Sequence, residues 1–384
     1  MSVRETIGTR DGRNVDPEVG RLLGEGSQQR VRGCPAAREE ELPAIPSDAS
    51  RQGTYYDVPL LKEPVWKWMI PTYFYVGGVA GAAAALGAAT QLARSQGTGT
   101  LIRRCRLVAA GGAVASAALL IADLGRPARF LNMLRVFRPT SPMNMGTWIL
   151  SAFGAMSTAS AAAALLPASE RQRRLGDLAA AGAGLVGLPL CTYTGVLVAN
   201  TAVPIWHGTR RTLPILFAAS GAAGGGAVLE LFPPTPAGEA IVHRFGIAGK
   251  VCELALTAVL EREAAAVPEV VRPLRRGASG LLWRASQGLS AAGLLCSLRS
   301  LGRPGYRGAA GVLGTLGALA LRLALMEAGR ASARDPRATI AQQRAGRGAG
   351  DVVSERDRAG ASLPALRGEG ARVGMEQADR DSHA

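Results

Sequence analysis

Long apolar blocks separated by short basic segments constrain this chain more than any other feature of its sequence. Each block is close to the roughly 20 residues that an α-helix needs to cross a bilayer. The blocks fall at about 70–92, 107–124, 146–166, 178–203, 213–232, 241–260, 280–298 and 308–326. They predict an all-α fold, a polytopic transmembrane bundle of about eight helices in the cell membrane, with both termini on one side.

Polar segments flank these blocks. Residues 1–53 are rich in Arg, Glu, Pro and Gly and lack an apolar run, so we expect a disordered extension and no secretory signal. Residues 339–384 are charged and rich in Arg and Gly, and we expect a disordered tail there. The membrane domain is therefore predicted to span 54–338. Lys and Arg near the block ends favour cytoplasmic termini by a small margin.

The basic charge of the chain fits a membrane protein better than a nucleic-acid-binding protein. The chain has 44 Lys and Arg against 29 Asp and Glu, a formal net charge of +15. The arginines cluster at the ends of apolar blocks, and no basic stripe is interleaved with aromatic residues. They therefore fit loops held against anionic headgroups. We expect the lipid bilayer as a partner and no nucleic acid.

The cysteines and histidines are scattered. The five cysteines make no C-x-x-C pair, so local spacing builds neither an iron–sulfur cluster nor a zinc site. None of the histidines, His207, His243 and His383, lies opposite another in the middle of an apolar block. The sequence predicts no haem and no iron–sulfur cluster in this chain, so the metal centres of any electron path would lie in other chains.

The second block ends with an ionisable pair, Asp123 and Arg126, in IADLGRPARF. A carboxylate near hydrocarbon must be paired, protonated or hydrated, so this pair is a candidate functional site. Alternatively, Gly125 and Pro127 only stop the helix, and the pair forms a structural clasp over its end. Both interpretations stay open at this point.

The fourth block carries polar residues along one predicted helix face. Pro189, Tyr193 and Asn200 are spaced by four and seven residues, and Pro189 frees a backbone carbonyl one turn earlier. A phenol, an amide and an open carbonyl in an apolar helix suit a quinone, which needs an apolar slot, hydrogen-bond donors and a proton-exchanging group. His207 follows at the end of the block. Alternatively, Tyr193 and Asn200 bond to neighbouring helices, and His207 is an interfacial residue.

The sixth block is the least apolar, because it contains His243, Arg244, Lys250 and Glu253. Such polarity is tolerable only if that face looks into the bundle or into a wet cavity. Lys250 lies one turn before Glu253, so the two are predicted to form a structural pair on one helix face. The alternative is that Glu253 handles protons, which makes it a candidate catalytic residue beside Asp123.

Several blocks, in order, resemble the NrfD-type family, the membrane subunits of polysulfide reductase and related molybdenum enzymes. These blocks are YYDVPLLKEPVWKWMIPTYFYVGGVAGA, DLGRPARFLNMLRVFRPTSPMNMGTW, LPLCTYTGVLVANTAVPIWH and MEAGRASARDPRAT. The resemblance covers roughly residues 54–340 and is weakest in the sixth and seventh blocks. Gly208 departs from the pattern, since related sequences often have an acidic residue after the histidine.

The resemblance implies a haem-free membrane subunit that binds quinone or quinol, either menaquinone or ubiquinone. Such subunits exchange electrons with a peripheral four-cluster iron–sulfur protein and, through it, with a molybdopterin-containing catalytic subunit. The resemblance implies site roles for Asp123, Arg126, Tyr193 and His207. We expect the quinone headgroup between the second and fourth blocks, near the membrane surface.

Two other functions are compatible with the sequence. The chain could be a transporter or a proton-conducting protein that uses Asp123, Glu230 and Glu253 as relay groups. A transporter is expected to show an internal repeat with broken helices in matching halves, and no persuasive repeat is visible here. The third possibility is a membrane scaffold without chemistry of its own.

Overall fold

Apolar, Gly- and Ala-rich sequence forms helices throughout, and no strand occurs among the residues that the structure describes. A helix satisfies its backbone polar groups internally, as a bilayer-spanning segment must. The computed structural model describes residues 59–124, 129–167, 169–233, 235–300 and 303–345, without the side chains of Arg129 and Leu131. The predicted N-terminal extension, Arg126 and the chain beyond Ala345 lie outside these residues.

The helices are numbered in chain order. They are α1 (Met69–Leu92), α2 (Gly99–Asp123), α3 (Arg129–Met133), α4 (Pro142–Leu165), α5 (Glu170–Ala199), α6 (Pro204–Gly208), α7 (Leu213–Glu230), α8 (Pro236–Ala265), α9 (Pro268–Arg275), α10 (Gly277–Leu298), α11 (Pro304–Arg334) and α12 (Pro336–Arg344). The predicted all-α bundle is confirmed.

Six of the helices, α1, α2, α4, α5, α7 and α11, are long and apolar enough to cross a membrane. The two remaining predicted spans correspond to α8 and α10, which have 30 and 22 residues. Their length is sufficient, but charged residues in α8 and serines in α10 make them less apolar. Several of these polar side chains, including Lys250, Glu253 and Ser290, are buried inside the bundle. Lys250 and Glu253 of the sixth block therefore look inward, as predicted, whereas Arg244 is exposed.

Some helix boundaries differ from those predicted. α2 begins at Gly99 instead of near Leu107, because the arginines before that residue form its first turns, and Arg106 pairs there with Asp177 of α5. The helix of the fourth block, α5, begins at Glu170 and ends at Ala199, and the short α6 follows from Pro204. α12 continues to Arg344, so the first residues of the predicted disordered tail are helical.

Glycines allow α1 to pack closely at the centre of the bundle, where it contacts α2, α5, α7 and α11. A Cβ atom on Gly81 would lie 2.5 Å from the carbonyl oxygen of Gly187 in α5. Gly78 faces Gly221 of α7 in the same way, whereas Gly77 faces Ser116 of α2. Small residues of this kind let helix backbones approach in a membrane bundle.

The helix directions define two ends of the bundle. At one end, which we call the proximal end, α1 and α4 begin and α2 and α5 finish. Glu63, just before α1, accepts a 2.8 Å hydrogen bond from Nε of Arg334 at the end of α11. The segment before α1 and the end of α11 therefore meet at the proximal end, while the two termini lie outside the described residues and their location on one side stays a prediction. The opposite end, where α1 finishes and α2 begins, is the distal end.

Candidate functional site

An apolar cavity of about 130 Å³ lies at the proximal end, between α1, α2, α4 and α5. We call it the Asp123 cavity. It is lined by Trp66, Ile70, Tyr73, Phe74, Leu120, Asp123, Leu124, Met133, Met143, Gly146, Thr147, Tyr193 and Leu197. A second cavity, at the distal end, has a volume of only about 20 Å³. Of the two, only the Asp123 cavity has room for a ring-sized ligand.

The structure brings two of the predicted site residues together in this cavity. Asp123 is the last residue of α2 and is half-buried, while Tyr193 lies in α5 and is 9% exposed. Both side chains line the cavity. The predicted position between the second and fourth spans is therefore the position of an actual cavity. The roles proposed for the two side chains remain predictions.

Gly146 of α4 makes room for the Tyr193 ring. A Cβ atom at position 146 would overlap both the ring and the hydroxyl of Tyr193. Gly146 follows Ser141, which caps α4 by accepting a hydrogen bond from the backbone N–H of Asn144. Within the described residues, no hydrogen-bond partner of the Tyr193 hydroxyl is found, so this group is available to a ligand.

The wall of the cavity is aromatic and firmly packed. Trp66 stacks on Trp206 at 5.8 Å between ring centroids, with an interplanar angle of 22°. The Trp206 indole is fully buried and donates a 2.9 Å hydrogen bond to the carbonyl oxygen of Leu325. The hydroxyl of Thr147 is engaged by its own helix, because it donates to the carbonyl oxygen of Met143. The polar character of the cavity therefore comes mainly from Asp123 and the phenols of Tyr193 and Tyr73.

Sequence reasoning did not single out two aromatic residues that line the cavity, Trp66 and Tyr73. Aromatic residues at the start of a span commonly lie at headgroup level, which is the ordinary expectation for both. Tyr73 is only 3% exposed and faces the cavity instead of the lipid headgroups. The one available signal for a site role was that both lie in YYDVPLLKEPVWKWMIPTYFYVGGVAGA, the first of the segments that resemble the NrfD-type family.

Two residues predicted to bind a cofactor lie away from the cavity. Asn200 is the C-cap of α5, is exposed, and donates a 3.1 Å hydrogen bond to the carbonyl oxygen of Val196. The face-sharing argument was wrong for Asn200, because α5 ends there and the side chain turns back along its own helix. His207 lies in α6, with Nδ1 3.3 Å from Nε2 of Gln342 in α12. Neither residue lines the cavity.

Glu253 also lies outside the Asp123 cavity, in the fully buried middle of α8. It accepts a hydrogen bond from the Ser290 hydroxyl of α10. The predicted pair between Lys250 and Glu253 is wrong, because Lys250 binds Glu230 of α7 at 2.8 Å. Two glycines allow this: a Cβ atom on Gly226 would lie 2.6 Å from the Cα of Gly246, so α7 and α8 approach closely enough for Glu230 to reach Lys250.

Comparison with known proteins agrees with the family resemblance. Residues 57–235 match the family model described as "Polysulphide reductase, NrfD". This range extends from the segment before α1 to the residue before α8, and it includes every residue that lines the Asp123 cavity. No curated protein matches the chain.

Proposed function

Since the chain belongs to the NrfD family, whose members are membrane subunits of oxidoreductase complexes, we propose that the Asp123 cavity binds the headgroup of a quinone or quinol. The chain is a multi-pass membrane protein, so such a ligand can reach it from the bilayer. Menaquinone and ubiquinone are the candidate ligands. The membrane subunit would then transfer electrons between the quinone pool and a partner protein.

One observation carries this proposal: a carboxyl and two phenols line a mainly apolar cavity at one end of a membrane bundle. Ligand sites of this kind combine apolar walls with a few placed polar groups. Ile70, Phe74 and Leu120 offer surfaces against which a flat ring packs. The cavity therefore fits the chemistry of a quinone headgroup.

Each polar side chain has a role that follows from its chemistry. A bound quinone supplies two-electron, two-proton redox chemistry. The Tyr193 hydroxyl donates a hydrogen bond to one quinone oxygen and so orients the ring. Asp123 lies at the last turn of α2, near the membrane surface, where its carboxyl group takes or delivers a proton at the ring oxygen.

The position of the cavity also indicates where a partner would bind. The cavity lies at the proximal end, so electrons travel the shortest distance to a protein docked there. The proposed partner is a four-cluster iron–sulfur protein, which would connect the membrane subunit to a molybdopterin-containing catalytic subunit. Copurification of these two subunits in mild detergent tests this assignment, and recovery of the chain with an unrelated partner would contradict it.

Substitution of Asp123 and Tyr193 tests the quinone site. We expect Asp123→Asn to abolish quinol-linked turnover of the assembled complex with little loss of quinone affinity, because the amide keeps the shape but cannot exchange the proton. Tyr193→Phe should weaken binding by about 1 kcal/mol, the net contribution of one hydrogen bond. Quinone affinity is measured from the quenching of Trp66 fluorescence by a short-chain quinone, with Trp66→Phe identifying the signal.

Asn200→Ala is the matched control, since Asn200 caps α5, the helix that contains Tyr193, and lies outside the cavity. It should leave both affinity and turnover unchanged. Full quinol-linked turnover of Asp123→Asn in an assembled complex would show that Asp123 only clasps the end of α2.

A further inference from the structure

A closed group of charged and hydroxyl side chains is buried between α7, α8 and α10. Lys250 is fully buried and donates hydrogen bonds to Glu230 at 2.8 Å and to the hydroxyl of Ser297 at 2.9 Å. The Ser297 hydroxyl also lies 2.8 Å from the second carboxylate oxygen of Glu230. Each charge therefore has its opposite within hydrogen-bonding distance, as a buried ion pair in a membrane bundle requires.

The small distal cavity lies between this group and the distal end of the bundle. Its lining includes Glu230, Glu239, His243 and Ser300, and Nδ1 of His243 lies 3.2 Å from the Ser300 hydroxyl. Its volume of about 20 Å³ is sufficient for a water molecule, and its polar lining supplies the partners that a buried water needs. Glu230 therefore borders a cavity that can hold a water molecule near the distal end.

On the inner side, Lys250 is followed one turn later by Glu253, which is buried among further polar groups. One carboxyl oxygen of Glu253 accepts a hydrogen bond from Ser290, and the other has only the Ser220 hydroxyl beside it, outside good hydrogen-bond geometry. The remaining titratable or charged neighbours of Glu253 are Tyr75 of α1 and Arg322 of α11, while Ser220 of α7 lies against it as a hydroxyl group.

Arg322 is also only partly satisfied. It donates one hydrogen bond, to the carbonyl oxygen of Phe217, and its guanidinium carbon lies 3.8 Å from the centre of the Phe217 ring. Its other two nitrogens are buried without a partner among the described residues, as is the Tyr75 hydroxyl. Buried polar groups in native proteins are almost always bonded to protein or to ordered water. A purely structural role explains the satisfied pair of Glu230 and Lys250, but it does not explain the unsatisfied atoms around Glu253.

We propose that α7, α8, α10 and α11 enclose a proton-uptake path that starts in the distal cavity and ends at Glu253. Glu230 takes a proton from water in the distal cavity. No hydrogen bond joins Lys250 to Glu253 among the described contacts, so the Lys250 ammonium turns from Glu230 towards Glu253 one turn along α8, gives a proton to the Glu253 carboxylate, and regains one from Glu230 on its return. One proton has then moved inward, each donor has been restored, and no electron has been transferred.

Infrared spectroscopy of the full-length protein in detergent tests the end of the path. We expect a carboxylic-acid C=O band that grows as the pH is lowered, shifts in D₂O and is absent in Glu253→Gln. Persistence of the band in a folded Glu253→Gln variant, or its absence from the wild-type protein, would overturn the proposal. If Glu253→Gln does not fold, Ser290→Ala replaces it: loss of this hydrogen bond must shift the band frequency, and an unshifted band would also contradict the proposal.

The entry of the proton path is tested by the rate at which the same carboxylic-acid band shifts after transfer to D₂O, which reports hydrogen–deuterium exchange at Glu253. The double variant Glu230→Gln with Lys250→Met removes both charges, so neither is left buried without its partner. We expect it to slow exchange by about a hundredfold, which is the lower range of what a positioned proton-transfer group contributes. His243→Phe, at the mouth of the distal cavity, should also slow exchange.

Glu63→Gln is the control, because this carboxyl lies outside the helices at the proximal end, and it should alter neither the band nor its exchange. An exchange rate that is unchanged in both entry variants would overturn the path. These measurements use no quinone and no partner protein. Failure here would therefore leave the quinone site intact, and failure of the quinone site would leave this path intact.

Discussion

At the scale of single residues, the candidate site depends on small side chains as much as on reactive ones. Tyr193 reaches the Asp123 cavity only because position 146 of α4 carries no Cβ atom. Gly154, two turns later in the same helix, has much more space, since its nearest neighbour would be the Cβ of Ala113 at 4.0 Å. Substitutions at the two glycines therefore distinguish the effect of displacing Tyr193 from the general effect of a glycine substitution in α4.

We predict that Gly146→Ala displaces the Tyr193 ring and weakens quinone binding at least as much as Tyr193→Phe does. Gly154→Ala should leave binding unchanged and should stabilise the protein slightly, because Ala loses less backbone entropy in a helix. Fluorescence quenching by a short-chain quinone measures both variants. Normal affinity of a folded Gly146→Ala variant would show that the Tyr193 hydroxyl does not contact the ligand.

Prediction from sequence at the residue scale succeeded for two side chains that line one cavity and failed where a residue's partner depended on helix packing. Asp123 and Tyr193 line one cavity, as their motifs predicted. The partner of Lys250 was missed, because spacing along α8 points to Glu253, whereas the approach of α7 at Gly226 supplies Glu230. Asn200 was misplaced because helical spacing says nothing about where a helix ends.

At the scale of helices, the contact between α1 and α5 positions the cavity. Both helices contribute residues to its wall, and they cross at Gly81 and Gly187. Apolar block lengths predicted the existence of these helices, since hydrocarbon thickness fixes the length of a span. Block lengths could not predict which helices cross, because Gly77 and Gly81 are the same residue type in the sequence and yet face different helices.

We predict that Gly81→Ala destabilises the protein by about 1–3 kcal/mol, the usual cost of inserting a methyl group into a tight contact. The added carbon would press on the Gly187 backbone, which cannot move aside as a side chain could. Gly111→Ala in α2 is the matched control, since nothing lies within 4 Å of its Cβ position. Thermal unfolding in detergent gives the comparison, and equal midpoints for the two variants would contradict the close crossing.

At the scale of the whole molecule, the ion pair between Glu63 and Arg334 joins the segment before α1 to the end of α11. The hydrogen bond from Arg334 lowers the pKa of Glu63 below its usual value. Any stabilisation is therefore fully present above the unfolded-state pKa of Glu63 and is lost as the pH falls through the lower, folded-state value.

We accordingly predict that acidification lowers the melting temperature of the wild-type protein slightly more than that of Glu63→Gln. The effect is small, because the pair is largely exposed, and it should shrink at high salt. A melting curve at neutral and acidic pH, in low and high salt, measures it. Identical acid sensitivity of the two proteins in low salt would show that the pair contributes nothing to stability.

The two cavities lie at opposite ends of the bundle, so the fold separates the proposed quinone site from the proposed proton entry. We predict that exposed positions near them face opposite sides of the membrane: Thr140, before α4, at the proximal end, and Ser95, between α1 and α2, at the distal end. Each is replaced by Cys in a chain in which Cys34, Cys252 and Cys296 are changed to Ala.

The two Cys variants are treated with a membrane-impermeant maleimide in sealed vesicles. Only one of the two variants should react before the vesicles are opened, and both should react afterwards. Tags on the two chain termini should report the side on which Thr140→Cys reacts, because the segments before α1 and after α11 meet at the proximal end. Labelling of both variants from one side would place the two cavities in the same compartment. Proton uptake at the distal end could then no longer carry charge across the membrane towards the quinone site.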